Sequence, residues 1–463
     1  MSSSIQKLID KARFTGSTYS KINFAYAHKE IDSVTLFKGG VGYTDDYELE
    51  RSIFNELIRL SSTSTSHQAN SINYIASREL DSEQNKAILS AIQNPITIIN
   101  GNAGSGKTRV IKELVNFLQN DINIDKSDIV LCSMLGVVAN KLQVLTGLSS
   151  FTINRLLEYQ DNGNGSYIPK KNASNPINCQ YLIVDEATLI SNDLALALLR
   201  ALPIGVRIVL AGDVGQVLSI QPGAFFTSIV HSNAFGQIHL KSNYRNKSSN
   251  IERLALDIIA PNSVRDVVDS YSDSTVRVIQ TISDQITLSK LQQAISRANS
   301  SGIKVAELQV LTPIHDGILG TRNLNQLVKS STGSNSFKVI LNKTNYRLGL
   351  FNGQIGKAVI VGDEVKVNIQ GKTLTLNLVE FNERFDLAYA LTPHRVQGAE
   401  FDLVIVVIPY QCVLIDANWL YSAMTRTKKS LVVIGDASLI ERVEHRQRRT
   451  FLEVLLAGDK KTK

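Results

Sequence analysis

The octapeptide GNAGSGKT, Gly101 to Thr108, constrains this chain more than any other feature. Ahead of it, Ile96-Thr97-Ile98-Ile99 is a short β-branched, apolar run that predicts a buried strand. Behind it, Val110, Ile111, Leu114, Val115 and Leu118 recur at helical spacing. Strand, Gly-rich turn and helix in that order make the context of a phosphate-binding P-loop, and they argue against a plain Gly-rich turn. The backbone from Gly101 through Asn102, Ala103, Gly104, Ser105 and Gly106, continuing into Lys107, Thr108 and Arg109, would wrap a polyphosphate. The helix N-terminus adds its dipole, Lys107 reaches the β- and γ-phosphates, and the Thr108 hydroxyl is a ligand for Mg²⁺.

Hydrolysis of ATP at such a cradle needs a carboxylate for the metal and a group that orients water. YLIVDEATLI supplies both: an apolar strand from Tyr181 to Val184, then Asp185 for Mg²⁺ and Glu186 for the water. An acidic pair after a strand also suits a plain helix cap. Downstream of a P-loop, the catalytic reading takes precedence.

Charge and cysteine usage narrow the remaining classes. Lys plus Arg number 49 against 42 acids, a net charge of +7 on 463 residues, which is compatible with a polyanionic partner without requiring one. Three scattered cysteines, Cys132, Cys179 and Cys412, suggest neither a zinc site nor a disulfide framework and suit a reducing cytoplasm. No apolar run approaches the ~18 residues of a membrane span, so no membrane role is expected.

Apolar runs alternate with helical patterns in two series. DIVLCS, YLIVDE and VRIVLAGD follow the P-loop; ELQVLTPI, DLVIVVIP and SLVVIGD come later. The alternation predicts an α/β fold of parallel sheets flanked by helices. Two series with one P-loop suggest two α/β domains, the second completing the phosphate site across a cleft. A turn-rich stretch at about 159–178 predicts a projecting hairpin. Short alternating strands at about 337–380 predict a small inserted β-barrel. Residues 1–79 form a distinct Ser/Thr-rich region with one amphipathic helix.

Further segments, taken in order, resemble those of superfamily 1 helicases, most closely the RecD-like group of the 5′→3′ branch, from about Tyr47 to Asp436. LDSEQNKAI resembles the Q motif, implying that Gln84 reads adenine, although Asp81 and Gln84 also make a helix capping pair. LAGDVGQVLSI resembles motif III, making Gln216 the γ-phosphate sensor. LKSNYRN resembles motif IV and WLYSAMTRTKKS motif VI, making Arg245 and Arg426 arginine fingers; LAYALTPHRVQGAEFD resembles motif V, with Glu400 near the nucleotide. QVLTPIHDGILGTRNLNQLV is similar to a second-domain segment of RecD-like enzymes. Guanidinium forks suit the spread charge of a transferring phosphoryl group.

The resemblance implies two RecA-like domains, 80–236 and 237–463, with an inserted SH3-like barrel and a pin. It implies ATP and Mg²⁺ as cofactors, single-stranded DNA and 5′-tailed duplex as partners, and strand contacts at Ser133, Thr152, His394 and Arg395. Met134-Leu135 stand where the family has Pro-Thr, Asn154 where it has His, and Arg395 where Lys is common. These departures touch strand contacts, not hydrolysis. Two other readings compete: an ATPase that remodels nucleoprotein without unwinding, and a helicase-like subunit that docks on protein partners through residues 1–79.

Overall fold

The computed structural model describes residues 2–21, 33–62, 74, 76–163, 165–244, 250–260, 264–304, 307–332, 335–345 and 348–459. Six parallel strands form the first sheet, in the order Gly236–Leu240, Ile96–Gly101, Arg207–Gly212, Tyr181–Asp185, Ile129–Ser133, Ser150–Thr152. Its central strands are apolar on both sides because both faces are covered. Ile99, Leu131, Ile183 and Val209 pack under the helices Ser82–Gln93 and Lys107–Asn120. Ile96, Ile98, Leu182 and Leu210 face the opposite way, toward Asn192–Arg200 and Phe225–Ser232. The P-loop and the Asp185-Glu186 pair leave this sheet at the carboxyl ends of its strands, where ligands bind in open α/β sheets.

The second sheet is also parallel, in the order Val276–Gln280, Thr427–Gly435, Phe401–Ile408, Leu308–Leu311, Ala390–Leu391. Between its strands Leu308–Leu311 and Ala390–Leu391 the chain makes the helix Thr321–Thr332 and then an antiparallel sheet. That sheet runs Lys372–Asn377, Glu364–Ile369, Ile355–Val361, Ser336–Leu341, Phe385–Leu387. The insertion is where the short alternating strands placed it, but barrel closure is not seen: among the described residues the outermost strands pair in a row and not with each other. The ribbon expected at 159–178 is present, with Tyr159–Asp161 antiparallel to Tyr167–Pro169.

Two boundaries move. The strand Gly236–Leu240, of which Gln237–Leu240 were assigned to the second domain, hydrogen-bonds alongside the P-loop strand as the edge of the first sheet. The C-terminal helix Phe451–Asp459 also returns to the first domain, burying Leu452 and Leu456 with Ile53, Leu57 and Leu60 of the helix Thr44–Ser61. Residues 44–61 are therefore part of the first domain's core. Sequence periodicity announces an apolar face but does not say what covers it.

Glu50 joins these segments. It is fully buried and accepts from the Thr18 hydroxyl at 2.9 Å, Asn192 Nδ2 at 2.7 Å and the Leu452 N–H at 2.7 Å. Burial pushes its carboxyl from 4.5 up to about 7 against those donors. The native state therefore holds this proton more tightly than the unfolded chain. Stability should fall as pH rises through the window from 4.5 to about 7 and level off above it. The slope is at most about 1.4 kcal/mol per pH unit. Glu50→Gln should remove that slope in thermal unfolding followed across the window. The amide is accommodated because Asn192 Oδ1 has no partner among the described residues and can turn to accept from it. Glu50→Leu, leaving three buried polar groups unsatisfied, should cost about 1–3 kcal/mol for each of them.

Candidate active site between the two sheets

Gly106 has φ +85°, and a Cβ there would stand 2.5 Å from Gln84 Nε2, so the turn into the helix requires glycine. Lys107, 9% exposed, curls back so that its Nζ donates to Gly101 O and, at 3.2 Å, to Asn102 O. Asp185 is buried at the end of its strand; its Oδ1 accepts the Glu186 N–H at 2.9 Å and it hydrogen-bonds the Thr108 side chain. Thr108 and Asp185 are thus in position to share one Mg²⁺. Glu186 holds φ +54°, ψ +42°, a left-handed conformation that costs a non-glycine residue about 1–3 kcal/mol and collects at functional sites.

Burial raises the carboxyls of both Asp185 and Glu186. Each is drawn back down by Lys107, and Glu186 also by Arg426. Glu186 Oε2 and Ser105 Oγ are buried with no hydrogen-bond partner among the described residues. Two buried acids, a lysine folded onto loop carbonyls and orphaned polar atoms fit a site shaped for a triphosphate, its cation and a water.

The cleft itself is about 310 Å³. From the first domain Ala103 to Thr108, Asp185, Glu186 and Gln216 line it; from the second come Glu400 and Arg426. Arg426 is 4% exposed, with Nε donating to Ser422 O at 3.1 Å. Gly101 and Asn102 lie behind the lining as partners of Lys107. Arg109 is different: it is exposed, ion-pairs with Glu79 at 3.4 Å and does not line the cleft. Gln84 completes a capping box with Asp81 and donates Nε2 to Ser105 O at 3.2 Å, so it braces the P-loop from outside. Arg245 lies outside the described residues.

Four lining residues were not anticipated: Val138, Lys141, Tyr244 and Gly398. Lys141 sits on the helix Gly136–Thr146 and draws down Asp185. Tyr244 donates its N–H to Gly104 O at 3.0 Å and its hydroxyl to Asp81, offering a ring beside the cradle. It immediately precedes the predicted finger at 245, and that adjacency was the available signal.

The four predicted strand contacts scatter. Ser133 is fully buried and its hydroxyl accepts the Leu135 N–H at 3.3 Å, so it offers no side-chain surface to a strand in this conformation. Thr152 caps the short helix Ile153–Leu156 by accepting the Arg155 N–H. His394 is half-buried and hydrogen-bonds the Leu218 backbone; burial lowers its pKa. Arg395 ion-pairs with Asp386 at 2.9 Å and enters a second cleft, about 540 Å³, with His315, Thr321, Arg322 and Asn325. That cleft opens at the start of the helix Thr321–Thr332, whose dipole favours anions there, with the Thr321 and Arg322 N–H groups already donating to Ile314 O at 3.0 Å and His315 O at 3.2 Å.

A P-loop sheet whose phosphate cleft is closed by an arginine from a second, P-loop-less sheet defines a class, the two-domain RecA-like core of superfamily 1 helicases. The AAA domain family matches residues 79–281, and the UvrD-like helicase C-terminal domain family matches 387–434. Within that class the chain is similar to RecD proteins. It is 26% identical over 403 residues to the ATP-dependent RecD2 DNA helicase of Deinococcus radiodurans, covering 82% of this chain and 52% of that protein. It is 23% identical over 499 residues to the RecBCD enzyme subunit RecD of Haemophilus influenzae, covering 86% and 76%. The chain thus spans about half the length of the Deinococcus relative. Its fold resembles that of the Pif1 helicases in a structure of DNA unwinding at forked duplex, with TM-score 0.51 at 16% identity over 84% of this chain and 97% of that one. Bacteroides Pif1 bound to single-stranded DNA gives TM-score 0.50 at 17% identity over 84% and 98%.

Proposed function

We propose that this chain is an ATP-dependent DNA helicase that translocates 5′→3′ on a single strand and opens duplex from a 5′ tail. The observation that carries the reading is the shared cleft: Lys107, Asp185 and Glu186 on one domain, Arg426 on the other. ATP and Mg²⁺ would be its cofactors, and Thr108 and Asp185 would hold the Mg²⁺. Bound ATP supplies the free energy of phosphoryl transfer. Lys107 and the loop N–H groups hold its phosphates, Glu186 orients the attacking water, and Gln216 with the two arginines senses and stabilises the transferring group. Because the arginine belongs to the second domain, the occupied cleft closes and the emptied one relaxes, which becomes stepping when each domain grips a strand.

The strand is proposed to pass the cleft lined by His315, Thr321 and Arg395, and the ribbon at 159–169 is proposed as the pin that parts the duplex. The reading in which residues 1–79 serve as a docking piece is less favoured, since the helix Thr44–Ser61 is committed to the first domain's core. Strand displacement on 5′-tailed against 3′-tailed duplex tests the function directly, and opening of only the 3′-tailed substrate contradicts the polarity.

Strand affinity should depend on salt far more than on base sequence. Phosphate contacts release counterions, so log K should fall against log salt with a slope of about −0.7 for each phosphate neutralised. Fluorescence anisotropy on oligonucleotides of differing composition checks this. A flat salt response argues for the docking-subunit reading.

A further inference from the structure

The helix Ala417–Met424 of the second domain meets the loop 213–217 of the first at helical spacing. Asn418 Nδ2 donates to Val214 O and Gln216 O, both at 3.0 Å, and Ser422 Oγ accepts the Val217 N–H at 2.8 Å. Between them stands Tyr421, 1% exposed. Its hydroxyl accepts the Ala103 N–H of the P-loop at 2.9 Å and donates to Asp213 Oδ2 at 2.9 Å. The direction is forced: a backbone N–H can only donate, so the one phenolic proton must go to the carboxylate.

The same Asp213 Oδ2 also accepts from Gln216 Nε2 at 3.2 Å, and Gln216 Oε1 accepts from Gln397 Nε2 at 3.1 Å. One path of hydrogen bonds therefore crosses the cleft three times, from the P-loop to Tyr421, back to Asp213 and Gln216, and out again to Gln397.

We propose that Tyr421 is a positioning residue that couples docking of the second domain to γ-phosphate sensing, an inference that rests on the ATPase reading of this cleft. Its hydroxyl shares Asp213 with Gln216. Oδ1 of Asp213 takes the Gly215 N–H at 3.0 Å; with the phenol present, Oδ2 is divided between two donors, and the Gln216 amide can be re-aimed at a phosphate. Without it, Oδ2 is left to that amide alone, and a hydrogen bond to an ionised acceptor is about twice as strong as a neutral one. The Gln216 side chain then stays on Asp213. When the second domain swings away, Tyr421 leaves with it, so the sensor is released for a phosphate only in the docked state.

Tyr421→Phe keeps the buried ring and removes only the hydroxyl, and Asn418 and Ser422 still hold the interface. The expected result is a drop of about tenfold in kcat for strand-stimulated ATP hydrolysis, equivalent to about 1.4 kcal/mol, with KM for ATP within about twofold. Adding Asp213→Asn weakens the hold on Gln216 and should recover at least about threefold of the loss, a non-additivity that a packing role does not produce. Gln397→Leu, at the far end of the path, should show the same loss of kcat at constant KM. The proposal is overturned if kcat is unchanged, if the defect lies in KM, or if Asp213→Asn only adds to it. Wild-type protein without strand-stimulated hydrolysis overturns the ATPase reading itself; wild-type turnover with an unaffected Tyr421→Phe overturns only the coupling.

Discussion

Lys107→Ala and Glu186→Gln should each reduce strand-stimulated ATP hydrolysis by about 10³-fold or more, and Arg245→Ala and Arg426→Ala should do the same. The reasons differ. Lys107 is the one cation inside the loop, already folded onto the Gly101 and Asn102 carbonyls of the proposed phosphate cradle. Glu186→Gln is the more informative change. Glutamine has nearly the same shape and faces the same left-handed backbone cost, so the comparison isolates the carboxylate charge. Asp185 and Thr108 remain for the metal, so this variant should still bind ATP while failing to hydrolyse it. Phosphate release and equilibrium nucleotide binding, measured together, check the pair of expectations. Near-normal turnover by Arg426→Ala or Arg245→Ala contradicts a site completed from the second domain.

Replacing Asp161 to Ala173 by a short Gly-Ser turn should abolish unwinding while sparing the motor. The ribbon is held by backbone pairing and by an exposed Lys170–Glu158 ion pair at 3.3 Å, and Tyr167 at its tip is 68% exposed. No described residue of the replaced segment belongs to a buried core cluster, so the first domain should fold as before. Strand-stimulated ATPase should stay within about twofold, whereas opening of a 5′-tailed duplex should fall by at least about tenfold, some 1.4 kcal/mol on the limiting step. A ribbon works as a wedge by standing where the duplex must pass, which needs no base-reading side chain. Unwinding that persists after the replacement makes the ribbon an ordinary surface insertion.

Most of the residues proposed for the ATP site were legible along the chain because the pattern is local. GNAGSGKT needs only its own strand and helix to become a cradle, and Asp185-Glu186 need only the end of theirs. The two α/β series and the inserted strands were legible for the same reason, since periodicity is read within ten or twenty residues. Arg109 shows the limit even there. It follows the motif directly, yet the helix turns it outward to Glu79.

What only the tertiary structure decided is pairing between distant segments. Nothing in GQIHL says that it hydrogen-bonds beside the P-loop strand more than a hundred residues earlier, because sheet order is a matter of which crossover closes, not of local propensity. Nothing around Glu50 says that Thr18, Asn192 and Leu452 will enclose it, or that burial will lift its carboxyl to about 7. Gln84 was readable as a helix cap from its neighbours, but its bond to Ser105 required the P-loop to be folded against it. Tyr421, Asp213, Gln216 and Gln397 form one path only because two separately folded sheets face each other. The amino-acid sequence by itself determined the groups proposed to bind phosphate and direct its transfer. The tertiary structure decided which of them touch, since hydrogen bonds and desolvation act over a few ångströms and take no account of distance along the chain.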